Sequence, residues 1–215
     1  MKLSLKQELP LLAIVAIPFV YLAYLWNSLP EKVPIHWNIN GEIDGWGTKN
    51  QLIVILLALP VLIYILFLVI PIIDPKKKLE KMGKKFYNLK LLMVLFMSVL
   101  AVFILYSVQS HSGSSIKVVF ALLGFFFMGL GNYFQTLQPN YFIGIKTPWT
   151  LESETVWKAT HKVAGKLWFF GGALLTLAVL VLPAEISFFV FMAGTTLLAI
   201  VPIVYSYTKY KALKN

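Results

Sequence analysis

Six long apolar runs, joined by short polar connections, dominate the pattern of the chain. They cover residues 9–26, 52–73, 91–108, 118–137, 167–184 and 186–207, and none contains Asp, Glu, Lys or Arg. A hydrocarbon core about 30 Å thick needs about 20 helical residues to cross it. None of the runs alternates apolar and polar positions as a membrane strand does. A helix also satisfies its own backbone hydrogen bonds, as lipid demands. The pattern therefore predicts six transmembrane helices. Pro18, Pro60 and Pro202 should kink the first, second and sixth. Lys2 and Lys6 precede the first run as in a signal peptide. That run ends in Tyr24-Leu25-Trp26 and lacks a small-residue cleavage site, so it reads as a retained helix. Pro183 and Glu185 predict a tight turn between the last two runs, which would otherwise form one long helix.

Three connections carry content. In the first loop, residues 27–50, Ile35-His36-Trp37-Asn38 and Glu42-Ile43-Asp44 flank Asn40-Gly41. Asn-Gly favours a two-residue hairpin turn, because both positions tolerate positive φ. In the second, residues 74–90, Asp74-Pro75 reads as an N-cap with a first-turn proline. It opens a basic helix with Phe86 and Tyr87 at the membrane interface. In the third, residues 138–166, Gln138-Pro139-Asn140 breaks the fourth run and 140–147 reads as extended chain. Thr150 is the expected cap of a helix whose first turn holds Glu152 and Glu154. Trp157, His161, Gly165 and Trp168 share one face of that helix.

Charge orients the helices. All nineteen basic residues are lysine, and the net charge is +10. With the N-terminus in the cytoplasm, sixteen lysines fall inside and only Lys32, Lys49 and Lys117 fall outside. That asymmetry is a positive-inside signal. It predicts cytoplasmic termini and an external hairpin between helices 1 and 2. An anionic inner leaflet accounts for the lysine run at 76–90, so the charge does not call for direct binding of nucleic acid. The expected fold is an all-α membrane protein, a bundle of six transmembrane helices in the plasma membrane. The chain has no cysteine, hence neither disulfides nor thiolate metal sites.

Two stretches are familiar in order and in detail. The first is Gly131-Asn132-Tyr133, then residues 139–150, which read PNYFIGIKTPWT, then Glu154-Thr155-Val156-Trp157-Lys158-Ala159-Thr160-His161. It resembles the signature of the SdpI family of bacterial membrane immunity proteins. The second is Leu29-Pro30, Val33-Pro34-Ile35-His36-Trp37, Gly41, Asp44-Gly45-Trp46 and Lys49. It resembles the short external-loop module of that family's longer members. The chain then divides into a two-helix module, 1–90, and an SdpI-like four-helix module, 91–215. The resemblance implies immunity to a secreted peptide toxin that collapses the membrane potential. It also implies a signalling role, in which a small cytoplasmic winged-helix repressor is held at the membrane.

His36, Trp37, Asp44 and Trp46 are the candidate toxin contacts. Packing within the hairpin is the structural role open to His36, and a lone histidine beside acids falls short of a metal's three or four ligands. Asn132, Asn140, Gly144, Lys146, Thr147, Pro148, Trp149, Trp157 and His161 form the candidate docking motif. Its structural alternative is a loop plugging the base of the bundle, with Trp149 as anchor and His161 internally satisfied. His111 falls in a serine-rich external turn and reads as solvated. No HExxH, Walker-type loop or GxSxG occurs. Glu154 and His161 stand about 10 Å apart along a helix, so an enzyme is not expected, nor a cofactor or metal. The runs hold no ionisable residue, which counts against a coupled pump. A passive transporter, channel or lipid-handling protein is the alternative function.

The orientation is testable because the chain lacks cysteine. Ser28→Cys and Ser112→Cys should react with an impermeant thiol reagent on whole cells, and Ser4→Cys and Ser153→Cys should not. External labelling at position 153 would overturn the arrangement.

Overall fold

A computed structural model describes residues 5–110 and 116–214; Lys2, Ser4 and the turn holding His111 and Ser112 lie outside them. The elements in order are α1 (Leu5–Leu25), β1 (Lys32–Trp37), β2 (Ile43–Thr48), α2 (Lys49–Leu56), a π-helical turn (Leu57–Val61), α3 (Leu62–Ile73), α4 (Lys78–Lys81), α5 (Lys84–Ser110), α6 (Ile116–Phe134), α7 (Pro148–Glu152), α8 (Glu154–Val181) and α9 (Ala184–Lys214). Among the described residues, six helices are long and apolar enough to cross a membrane: α1, the continuous Lys49–Ile73 helix, α5, α6, α8 and α9. At most 33% of each helix's most apolar stretch is buried in the protein. Outward side chains such as Val20, Val54, Phe125, Leu174 and Phe189 therefore need lipid around them. This is a multi-pass membrane protein. Pro60 falls in the π turn, where the helical ladder is rearranged around a residue without an N–H. Leu182-Pro183 separates α8 from α9, as the sequence predicts.

The chain forms two compact units. The first comprises Met1–Ile72 and Lys90–Val119. Its β1 and β2 pair antiparallel, and the hairpin stands on a cluster of Leu22, Leu25, Leu29, Val33, Leu52, Leu56 and neighbours on α5. The turn is not a two-residue Asn40-Gly41 loop. Asn38 N–H donates to the Glu42 carbonyl and Gly41 N–H to the Asn38 carbonyl. Gly41 alone in this loop has positive φ, 81°. This is the three-residue alternative, a turn followed by a left-handed glycine. Asn38 selects it, because its side-chain oxygen accepts from both Asn40 and Glu42 N–H groups.

Glu8 and Lys90 correct the expected absence of charge from the spans. The apolar runs begin just after them, but α1 and α5 start earlier and bury both. Lys90 Nζ lies 2.6 Å from Glu8 Oε2. The Tyr64 hydroxyl donates to the same oxygen at 2.8 Å, and Lys90 sits over the Tyr64 ring. Three helices, α1, α3 and α5, meet at this pair.

The second unit comprises Ile73–Leu89 and Phe120–Asn215. Here the basic connection is not one helix from Pro75. Asp74 accepts from Lys76 and Leu79 N–H groups, but Lys77 adopts φ 49° and α4 starts only at Lys78. Gly83, at φ 51°, then separates α4 from α5. Leu79, Met82, Phe86 and Leu89 are buried, so Phe86 packs inward instead of lying at the interface. Farther along, α6 and α8 approach closely at glycines. A Cβ on Gly131 would lie 2.7 Å from the Gly165 carbonyl, and one on Gly172 would lie 2.6 Å from the Gly124 carbonyl. Lipid is as apolar as the helices, so close packing of small residues is what draws such helices together.

Removing one partner of the Glu8–Lys90 pair strands the other charge. Lys90→Leu or Glu8→Leu alone should each cost about 3–5 kcal/mol, while the double substitution should cost less than the sum of the two. A double-mutant cycle by denaturation in mixed micelles measures this, and additive effects would show that the two groups are uncoupled.

Candidate functional site

The loop between α6 and α8 is closed by its own side chains. Asn140 is buried. Its Oδ1 accepts from Phe142 and Ile143 N–H groups, and its Nδ2 donates to the Gln138 and Ile143 carbonyls. Residues 140–147 therefore form a tight loop, not the extended chain expected. One asparagine satisfies four backbone groups, and that bonding outweighs the extended bias of the flanking prolines. Gly144 completes the curl at φ 113°, where a Cβ would meet His161 Nε2 at 2.5 Å.

His161 anchors the loop to α8. Its Nδ1 faces the Trp157 carbonyl at 2.9 Å, so Nδ1 must carry the proton. Its Nε2 accepts from the Ile145 N–H at 2.9 Å. Both ring nitrogens are engaged and the pattern needs the neutral ring, which leaves no lone pair for a metal or a proton transfer. Trp157 stacks on the histidine at 4.1 Å between ring centroids, and its indole donates to the Leu137 carbonyl.

Thr150 caps neither helix: Thr147 caps α7, and the helix bearing Trp157 and His161 is capped by Ser153. The Thr147 hydroxyl accepts from Thr150 N–H and Pro148 occupies the first helical position, where its missing N–H costs nothing. Thr150 instead turns its hydroxyl back to the Ile145 carbonyl. Ser153 then caps α8. α7 is pinned to α9: Trp149 donates to the Ser206 hydroxyl and Tyr210 donates to Glu152. That bond holds the Glu152 carboxyl below its usual pKa. Lys146 folds onto the Tyr141 and Phe142 carbonyls. Lys76 reaches the Tyr141 hydroxyl at 2.8 Å and lowers the phenol's pKa.

The structure brings Asn140, Gly144, Thr147, Trp157 and His161 together, while Asn132 lies exposed on α6. Ser206, Tyr210 and Thr150 complete the site. Ser206 is one of several hydroxyls in its run, beside Ser187, Thr195 and Thr196, so the sequence does not single it out. The loop leaves Tyr141, Lys146, Pro148, Leu151 and Glu152 exposed.

The hairpin presents a different surface. His36 Nδ1 and Asp44 Oδ1 are 2.5 Å apart across the strands, with both side chains well exposed. Trp46 is exposed beneath Lys32. Trp37 lines a cavity of about 280 Å³ walled by α5 and α6. Among the described residues, no group of three or more His, Asp or Glu side chains gathers as a metal site would.

Residues 136–206 match the model of the SdpI/YfhL protein family. Immunity protein SdpI of Bacillus subtilis (strain 168) is 30% identical over 166 residues, covering 76% of each chain. The chain belongs to the SdpI family. Residues 13–64 match a second model, a domain of unknown function (DUF1648). No solved structure matches. The SdpI match takes in Asn140, His161 and Ser206, so the closed loop lies wholly within it. The second match takes in the hairpin. Glu8 and Lys90 fall outside both.

Gly144 and Gly83 both have positive φ, but a Cβ at Gly83 would meet nothing within 4 Å. Gly83→Ala should cost about 1 kcal/mol, and Gly144→Ala more, roughly 2–4 kcal/mol, because it adds a clash with His161. Thermal midpoints in detergent compare them; equal losses would mean that His161 does not hold the loop.

Proposed function

We propose that this protein confers immunity to a secreted, membrane-active peptide toxin. Membership of the SdpI family, with a relative named as an immunity protein, carries the reading. The hairpin is the part that meets the toxin. Its exposed His36–Asp44 pair, Trp37 and Trp46 stand at a membrane surface, where a secreted peptide arrives. The loop at 140–152 is the part that signals to a small winged-helix repressor. Its internal bonds hold Tyr141, Lys146, Pro148 and Leu151 as a rigid, exposed face. Neither role calls for catalysis, and the engaged nitrogens of His161 leave that ring no part in it.

One observation speaks for the transport alternative: ionisable residues are buried in α1 and α5. Glu8 and Lys90 neutralise one another, however, and the Tyr64 hydroxyl completes the contact. A closed neutral pair is a fastening before it is a carrier site.

The test is expression in a Bacillus subtilis strain that lacks its own SdpI, challenged with the toxin that SdpI counters. Survival should rise. His36→Ala and Asp44→Ala should lower it at unchanged protein abundance. Lys146→Ala and Leu151→Ala should instead reduce recovery of the repressor in the membrane fraction. No gain in survival, together with ion or solute flux through the purified protein in liposomes, would replace this reading with transport.

A further inference from the structure

The cavity in the first unit follows one edge of the hairpin. Successive side chains of a strand point to opposite faces of its sheet. The register of β1 slips between Pro34 and His36 and again between His36 and Trp37, and Ile35, His36 and Trp37 line the cavity together with Asn38 and Gly41 of the turn, while no residue of β2 does. The cavity therefore lies on the β1 side of the hairpin, beside the turn. The sheet has two strands, so the edge of β1 away from β2 carries no partner strand. An open edge is a ready template for a further strand.

The rest of the cavity says what that strand should be. Its far wall is apolar, with Leu100, Phe103 and Ile104 on α5 and Val119 on α6. Its volume, about 280 Å³, is roughly nine times a water molecule's share of liquid volume, room for a bulky side chain. The Trp37 indole N–H is buried without an acceptor, which is unfavourable until a ligand supplies one. No Lys, Asp or Glu lines the space, and His36 is engaged by Asp44, so the occupant is uncharged.

We propose that β1 and this cavity bind an extended, uncharged segment of a peptide. Its backbone adds to the open edge, a large apolar side chain fills the cavity, and a carbonyl accepts the Trp37 N–H. A lipid chain could fill an apolar space, but it has no N–H groups with which to pair a strand edge. The proposal rests on the immunity reading and supplies the way in which the toxin is held.

The probe is a fluorescent ten-residue peptide of alternating Leu and Thr, titrated by anisotropy against the full chain in lipid nanodiscs. A second peptide, N-methylated at every other residue, lacks the donors of one edge. Saturable binding of the first is expected, weakened at least tenfold by N-methylation. Filling the cavity with Val119→Trp or, separately, Ile104→Trp should weaken it similarly, each at wild-type thermal midpoint. Binding no greater than to empty nanodiscs, equal binding of both peptides, or binding unchanged by both cavity-filling variants would overturn the proposal. So would lipid that co-purifies with the wild type and is lost from the variants while the peptide fails to bind. In the toxin challenge, full protection by Val119→Trp removes the edge site and leaves immunity standing. Absence of protection by the wild type removes immunity, and peptide binding is then judged in nanodiscs alone.

Discussion

In a hydrocarbon solvent every polar group must find its partner inside the protein, and this constraint shapes each unit of the chain. Helices meet it for the backbone. It falls to side chains wherever the backbone leaves the helix or a charge enters it. The Glu8–Lys90–Tyr64 contact is the case of the charge: three helices are held together by groups that lipid would not tolerate singly. The Asn140 loop is the case of the backbone, where burial in the protein and not lipid removes the water. Its donors and acceptors, freed from α6, are taken up by Asn140, His161, Thr147 and Thr150.

The same constraint changes the meaning of the family's most recognisable residues. Asn140, Gly144, Thr147, Trp157 and His161 look chemical in the sequence, since polar and aromatic residues crowd a short stretch between apolar runs. Their partners are internal. His161 has both nitrogens engaged, and Trp149 is spent on Ser206. The motif is a device for folding a loop tightly against α8 and α9. In the proposed signalling role, recognition falls to the side chains that the device leaves outside.

The spans were legible in the sequence because an apolar run of fixed length has one physical meaning in a membrane. The hairpin was legible from the residues flanking Asn40-Gly41, although Asn38 and not the Asn-Gly step selects the turn. Helix ends were not legible. A count of apolar residues stops at the first charge, whereas a helix stops where its backbone does, and so Glu8 and Lys90 were left out of the spans. Their pairing, across 82 positions, leaves no periodic trace. Asn140 hides for a related reason: side-chain bonds to nearby backbone have no repeat to detect. The cap at Thr147 did leave a signal. Pro148 suits the first position of a helix, which makes the residue before it the cap, and Thr150 drew the assignment only because acids follow it.

The hairpin's location follows from the same physics. An open strand edge cannot face hydrocarbon, because its unpaired groups would have no partner. β1 therefore lies at the aqueous boundary, with the exposed His36, Asp44 and Trp46 in water and the ends of α5 and α6 beneath. A secreted peptide that attacks membranes collects at that boundary, with its apolar side chains toward lipid and its backbone seeking donors and acceptors. An open edge above an apolar cavity offers both at once. On the proposed reading, the protein has only to hold the peptide more favourably than the bilayer does.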